Sequence, residues 1–349
     1  MKPVAAPALM TALALLPALL AAPALAGPAD SLFDWVTITG PGNRGYDRQT
    51  VNPFLTGRGR VDYEYRIART EVSTQQYLDF VNTFATQSDA LADLIGEPSH
   101  WGAERDPGYA GPGRRYRLRT DVANAGLLPL IGVSWHEAAY YINWLNNDLS
   151  ADPSAIADGA YDISTFDTNP ADGFTDQDAR HPTARYFLPT WDESLKAFHW
   201  DPNKDGPGQG GWWIYNDASD TQPIGGPPGI GETSANWFDD DRGPRPAWET
   251  PLGSYKTRTP WGLIDASGGG AEWTESWVDT GIPGDTSGRY LMGNPAGILG
   301  QSDDATFSPG FAPVAGFFSS FRVAATIPTQ HTLVCLVMAV PLAARRRRP

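Results

Sequence analysis

Three times the chain writes the same helix start. Ser73 with Gln76, Ser134 with Glu137 and Thr190 with Glu193 each set a hydroxyl three residues ahead of a longer polar side chain. At that spacing the hydroxyl accepts from the third backbone N–H while the Gln or Glu reaches back to the first, so donors that a helix start leaves bare are satisfied. An apolar stripe follows each start: Tyr77, Phe80, Val81 and Phe84; Ala138, Tyr141, Ile142 and Leu145; Leu195 and Phe198. Spacings of three and four place each stripe on one face, which predicts three amphipathic helices pressed on a core. Elsewhere 37 glycines and 31 prolines interrupt any regular run, so the rest must be short strands and loops, tethered by some of the 13 tryptophans. Arg185–Leu188, stopped by Pro189, is predicted to be a strand, and Phe317–Ala324 a closing strand with Phe321 and Val323 inward. The stretches around 101–115, 201–211 and 223–246 are predicted loops. No repeat or composition shift divides residues 28–325, so the expectation is a single irregular α+β domain.

The two ends differ from this body. Lys2, the apolar run Leu9–Leu25 and the small-x-small site Ala24-Leu25-Ala26 predict a signal peptide over residues 1–26, with Pro17 and Pro23 arguing against a permanent membrane helix. Residues 27–59 then form the lead-in of the domain, 60–325 the domain proper and 326–349 a hydrophobic tail. Taking away Lys2 and the four terminal arginines moves the formal charge from -14 to -19. So acidic a body speaks against nucleic acid or anionic lipid as its partner. The single cysteine, Cys335, lies in the tail, leaving the body without a disulfide or a thiolate.

The tail runs from a proline motif, Pro328-Thr329-Gln330, through the apolar Leu333–Ala344 to Arg345–Arg348. This order resembles the PEP-CTERM class of bacterial sorting tails, although Pro-Thr-Gln stands where that class has Pro-Glu-Pro. The resemblance implies partners in the export and C-terminal sorting machinery, transient membrane attachment through the tail, and delivery to the bacterial cell surface or beyond. A plain C-terminal anchor is the alternative.

Within the body, five blocks come in a recognisable order. They are Tyr65–Ser73 with Gln76, Tyr77 and Phe80; Pro129–Trp135 with Ala138, Tyr141 and Trp144–Asn146; Arg185–Thr190 with Glu193; Pro251–Ser254 with Pro260–Asp265 and Glu272–Thr274; and Phe321–Val323. Together they resemble the formylglycine-generating, or sulfatase-modifying-factor, family. The resemblance implies that family's loop-rich α+β fold, akin to C-type lectin domains, with about three helices and short strands. It does not settle an activity.

The family's oxidase chemistry uses two cysteines that bind Cu(I), a metal that prefers sulfur. By the resemblance they would fall between Arg289 and Ser320, where this chain has neither Cys nor His, and Asn294-Pro295-Ala296 replaces the Gly-Ser-Trp part of the preceding motif. No copper is expected, and formylglycine formation is not expected. The histidines (His100, His136, His181, His199 and His331) show no metal-ligand spacing; His136 is expected to face solvent and His199 to complement a helix C-terminus. Calcium is the cation the resemblance allows, through Asn236, Trp237, Asp239, Asp240 and Asp241, an oxygen-rich group that suits a hard ion. A second calcium motif of the family survives only partly in Gly268–Trp273, and Glu272 is expected to be a buried acid paired with Arg322. Asp201–Gly206 opens like a calcium-binding loop but has Trp212 at its twelfth position, so an Asx-rich turn is expected.

Two functions remain in view. The first is an exported, surface-associated binding or structural domain without oxidase activity, with Trp212, Trp213 and Tyr215 stacking on a glycan or protein ligand. The second is an enzyme with a non-copper mechanism acting on exported proteins or a small molecule, and it predicts a concave pocket shared by Arg289, Asn294 and Glu272.

Overall fold

The structure, a computed structural model, describes residues 27–48, 52, 54–167, 173–282, 284–298, 305 and 308–328. The signal-peptide expectation and nearly all of the tail lie outside these residues. In chain order the elements are β1 (Trp35–Ile38), β2 (Tyr65–Ala68), α1 (Thr74–Ala85), α2 (Asp89–Ile95), β3 (Ala103–Arg105), β4 (Tyr116–Leu118), α3 (Trp135–Asn146), β5 (Tyr186–Phe187), α4 (Trp191–His199), β6 (Trp200–Asp201), β7 (Gly211–Trp212), α5 (Arg245–Trp248), β8 (Ala271–Trp277), β9 (Arg289–Met292), β10 (Gly310–Phe311), β11 (Ser319–Ser320) and β12 (Ala324–Ala325). This is the mixed, loop-rich α+β architecture that the sequence predicts.

All three predicted capping boxes are present, at α1, α3 and α4. Their apolar faces are buried: Tyr77, Phe80, Val81, Phe84, Tyr141, Ile142 and Leu145 have no exposed surface. Tyr77, Phe80, Tyr141 and Phe321 contact one another in tilted, edge-on and stacked ring pairs, 5.3–6.2 Å between centroids, a geometry in which ring edges meet ring faces. The predicted loops around 101–115 and 201–211 are not wholly irregular: the first contains β3, which pairs with β4, and the second links the paired β6 and β7.

Two four-stranded sheets organise the rest. The first has the order β1-β2-β12-β5, all antiparallel, and the second β10-β9-β8-β11, with β11 parallel to β8. The lead-in therefore contributes a full strand, β1, to the domain. The predicted closing strand is two short strands, one in each sheet. Between them the buried Phe321, Arg322 and Val323 carry the chain from sheet to sheet. The reason is Arg322: its guanidinium needs more acceptors than one sheet edge offers, and it finds them on Ala68, Arg69 and Ile264 as well as Glu272. Glycine at 270 serves the same crossing, since a Cβ there would collide with Ser320 on β11.

Candidate functional site

The hairpin β8–β9 is the floor of an apolar cleft of about 280 Å³. Ala271 and Leu291 rise from the floor, Pro295 closes one end, and Phe311, Phe317 and Phe318 form a wall. Among the described residues, every lining side chain is apolar. Phe317 is 63% exposed and Phe311 36%, and their rings lie nearly parallel, 6.1 Å apart. The aromatic row continues through Phe318 and Trp248 to His100, with centroid separations of 6.1, 5.9 and 4.2 Å. The wall is anchored to the start of α3. Gly132 and Val133 donate to Ser319 O, the Ser319 hydroxyl donates to Val133 O, and His136 N donates to Pro313 O. Exposed aromatic rings held on a pinned loop present apolar surface to solvent, which isolated monomeric domains ordinarily avoid.

Arg289 stands two residues before Leu291, on the same face of β9. It is fully buried. Its guanidinium is sandwiched between the rings of Trp135 at 3.7 Å and Trp277 at 3.8 Å, and donates to the carbonyls of Glu275 and Gln177. Burial lowers its pKa to about 10, opposed chiefly by the negative charge of Asp176, so it is still a cation at neutral pH. Asp176 is itself held by His136, Nε2 to Oδ2 2.8 Å, and the imidazole stacks on Phe166 at 4.3 Å. His136 is thus buried and does not face solvent as the sequence suggested; the carboxylate and the ring that enclose it come from the loop beyond residue 165, far along the chain.

Glu272 lies on the opposite face of β8. Both its oxygens accept from Arg322, at 2.7 and 2.9 Å, as the sequence suggested. Asn294 is fully buried, and its carbonyl accepts from Gly268 N. The structure therefore does not bring Arg289, Asn294 and Glu272 into one pocket: the alternation of a strand turns Arg289 and Glu272 to opposite sides of the hairpin. The expected stacking triad also comes apart. Trp212 is core, 1% exposed, edge-on to Trp200 and donating to Arg44 O. Trp213 donates to Asp201, with the Lys204 ammonium 3.9 Å over its ring, and Tyr215 pairs with Ser219 across a tight turn.

In the acidic turn the carboxylate of Asp239 receives the Asp241 and Arg242 amides and the Arg242 guanidinium, the last at 2.9 Å. Arg242 holds this carboxyl below its ordinary value. Asp240 and Asp241 are exposed, Trp237 is half-buried, and Asn236 has a left-handed backbone. A cation here would have to displace Arg242, and among the described residues no three His, Cys, Asp or Glu side chains converge as a metal site. Asp201 accepts from Asn203 N and from the Trp213 indole, which is the expected Asx turn.

What sequence reasoning missed is the wall, Phe311 and Phe317–Phe318, and the loop residues Asp176, Gln177 and Trp277 around Arg289. A signal for the wall existed: three phenylalanines within eight positions set among Pro, Gly and Ala, too broken for a strand.

Short strands in two four-stranded sheets, three boxed helices and a hairpin topped by an open cleft define an irregular, loop-rich α+β fold. The sequence matches the sulfatase-modifying factor enzyme 1-like domain over residues 36–297, and the chain belongs to that family. Among solved structures it is similar to Treponema denticola variable protein 1, with a TM-score of 0.51 and 18% identity over 84% of this chain and 95% of that one. It also matches CarF, with a TM-score of 0.47 and 18% identity over 84% and 98% of the two chains, and PvdO from Pseudomonas aeruginosa, with 0.43 and 15% over 88% and 100%. No curated protein matches the sequence.

Proposed function

We propose that this chain is an exported, surface-associated binding protein without copper-oxidase activity, and that the cleft over β8–β9 receives an apolar or aromatic side chain of a polypeptide ligand. One observation supports this above all: among the described residues the cleft is lined by apolar groups alone, and two stacked, exposed phenylalanines wall it. Such a surface gains free energy by shedding water onto an apolar partner, at roughly 25 cal/mol per Å². Among the described residues it offers a reacting group neither a base nor a nucleophile. The absence of Cys and His from residues 289–320 accords with the same reading. Export rests on the two ends of the chain, and the tail accounts for attachment at the surface. The reading does not depend on bound calcium.

The test is a peptide array probed with the purified protein, with calcium and with chelator. Peptides bearing Phe, Trp or Leu are expected to be retained, and Phe317→Ser to weaken retention about tenfold without lowering the melting temperature, since hot-spot aromatics carry that much binding energy. Equal retention by Phe317→Ser would refute the assignment of the cleft. Aldehyde formed on a Cys-x-Pro-x-Arg peptide with copper would refute the loss of oxidase activity.

A further inference from the structure

A second concavity, of about 710 Å³, opens beside α5 and differs from the cleft in every respect that matters for recognition. Asp121, Asn124, Trp237, Asp239, Arg242 and Glu249 line it. Each lining carboxylate is paired with a guanidinium, Arg242 from the lining itself and Arg119 and Arg245 from beside it. Arg119 grips Asp121 through two bonds of 2.8 and 3.1 Å and Glu249 through one of 2.9 Å. Arg245 holds Glu249 at 3.0 Å, and Arg242 holds Asp239 at 2.9 Å. Three carboxylates thus meet three guanidiniums, so each of the three already has a countercharge. What remains is a fixed array of planar donors and acceptors. The Asp121 and Arg245 side chains are 62% and 61% exposed, so they keep unused lone pairs and N–H groups toward solvent. Asn124, exposed and held left-handed at φ 55°, adds an amide that caps nothing. Trp237 is half-buried and, among the described residues, stacks on no other ring.

A ligand that fits need carry no charge; it presents adjacent hydroxyls to paired oxygens and N–H groups and a flat apolar face to an indole. We infer that the groove binds a neutral saccharide. Trp237 covers the C–H face of one sugar ring, while Asp121, Asn124 and Glu249 take its hydroxyls. Arg119 and Glu249, the more enclosed of these groups, hold each other in place before the ligand arrives, so little of their side-chain freedom is lost on binding. This site is separate from the apolar cleft and does not depend on it.

The purified protein is applied to an array of neutral gluco-, manno-, galacto- and chito-oligosaccharides, with heparin as an acidic control. Retention of at least one neutral saccharide is expected, unchanged between about 50 and about 500 mM salt, since the ligand carries no charge to be screened. Trp237→Ala should weaken it roughly tenfold, the loss of one stacked aromatic. Trp213→Ala and Phe317→Ser should leave it intact. Should Trp237→Ala fail to fold, the exposed Asn124→Ala serves in its place and should weaken binding about threefold, as loss of one neutral hydrogen bond does. Retention of heparin alone, no retention of any neutral saccharide, or binding indifferent to both substitutions would overturn the inference.

Discussion

Arg289 and Arg322 are both fully buried beside the same hairpin, and the protein neutralises them in opposite ways. Arg322 is closed. Glu272 takes it from two directions, and the carbonyls of Ala68, Arg69 and Ile264 accept its remaining N–H groups. Its charge is answered within hydrogen-bond distance, and in being answered it joins β2, β12 and the approach to β8. Among the described residues, Arg289 has no carboxylate in contact. Two indole faces, two carbonyls and the more distant Asp176 share its charge. The first arginine fixes the frame of the fold; the second fixes a loop and one flank of the open cleft. An ion pair is a poor device where a surface must stay apolar, because unpairing it exposes a buried charge. Rings can spread a cation without adding an anion to the neighbourhood.

The largest effect follows from breaking the closed centre. Arg322→Met leaves Glu272 facing Glu71, a second buried carboxyl already pushed well up by burial and by Glu272. Removing one partner of a buried pair costs about 3–5 kcal/mol, so the urea midpoint should fall steeply. Adding Glu272→Met should restore much of the loss, because the stranded charge goes with it. A single-variant loss under about 1 kcal/mol would mean that Glu272 takes up a proton at little cost, and the contrast between the two arginines would vanish.

Arg289→Met should cost less, about 2 kcal/mol, because methionine fills the slot between Trp135 and Trp277 and what is lost is donation to two carbonyls. The damage should be local. Hydrogen exchange around residues 173–178 should quicken, while the amides of β2 and β12 keep their protection. Losses equal to those of Arg322→Met, or exchange quickened across both sheets, would show that the two centres do the same job.

The closed centre was legible in the sequence and the open one was not. The capping boxes and the pairing of Glu272 with Arg322 follow from local spacing and from the rule that a buried acid needs a partner. Arg289 could be singled out, but its companions could not. Trp135 comes from α3, Gln177 and Asp176 from an irregular loop, and no periodicity links them to β9. The same limit explains the tryptophans. Nothing in the glycine-rich run 206–213 tells which indole turns inward, and only the packing of Trp212 between Trp200 and Tyr46 decides it. The open cleft depends on a wall whose chain path switches sheets, and that switch becomes visible only once the acceptors of Arg322 are located.

A third enclosed cation extends the contrast, because among the described residues it has neither a carboxylate in contact nor a pair of rings. Lys196 lies within α4, fully enclosed, with Nζ donating to Gly40 O at 2.9 Å. Burial lowers its pKa from 10.5 to about 8, against the weaker pull of Glu64 and Asp62. Below that value both folded and unfolded chains carry the proton, and the fold bears the desolvation in full. As the pH rises from about 8 toward 10.5 the folded protein releases the proton while the unfolded chain keeps it. The unfolded state then binds more protons, so this residue's contribution to stability grows with pH across that window. Lys196→Met lacks the titration. The stability of the native protein minus that of the variant, from urea unfolding at each pH, should be flat below pH 8 and rise above it, by on the order of 1–2 kcal/mol by about pH 9.5. Taking the difference removes the titrations that both proteins share. A difference that stays flat through the window would mean that the single carbonyl of Gly40 holds the ammonium as well as Glu272 holds Arg322, and burial of a cation in this fold would then not require a countercharge at all.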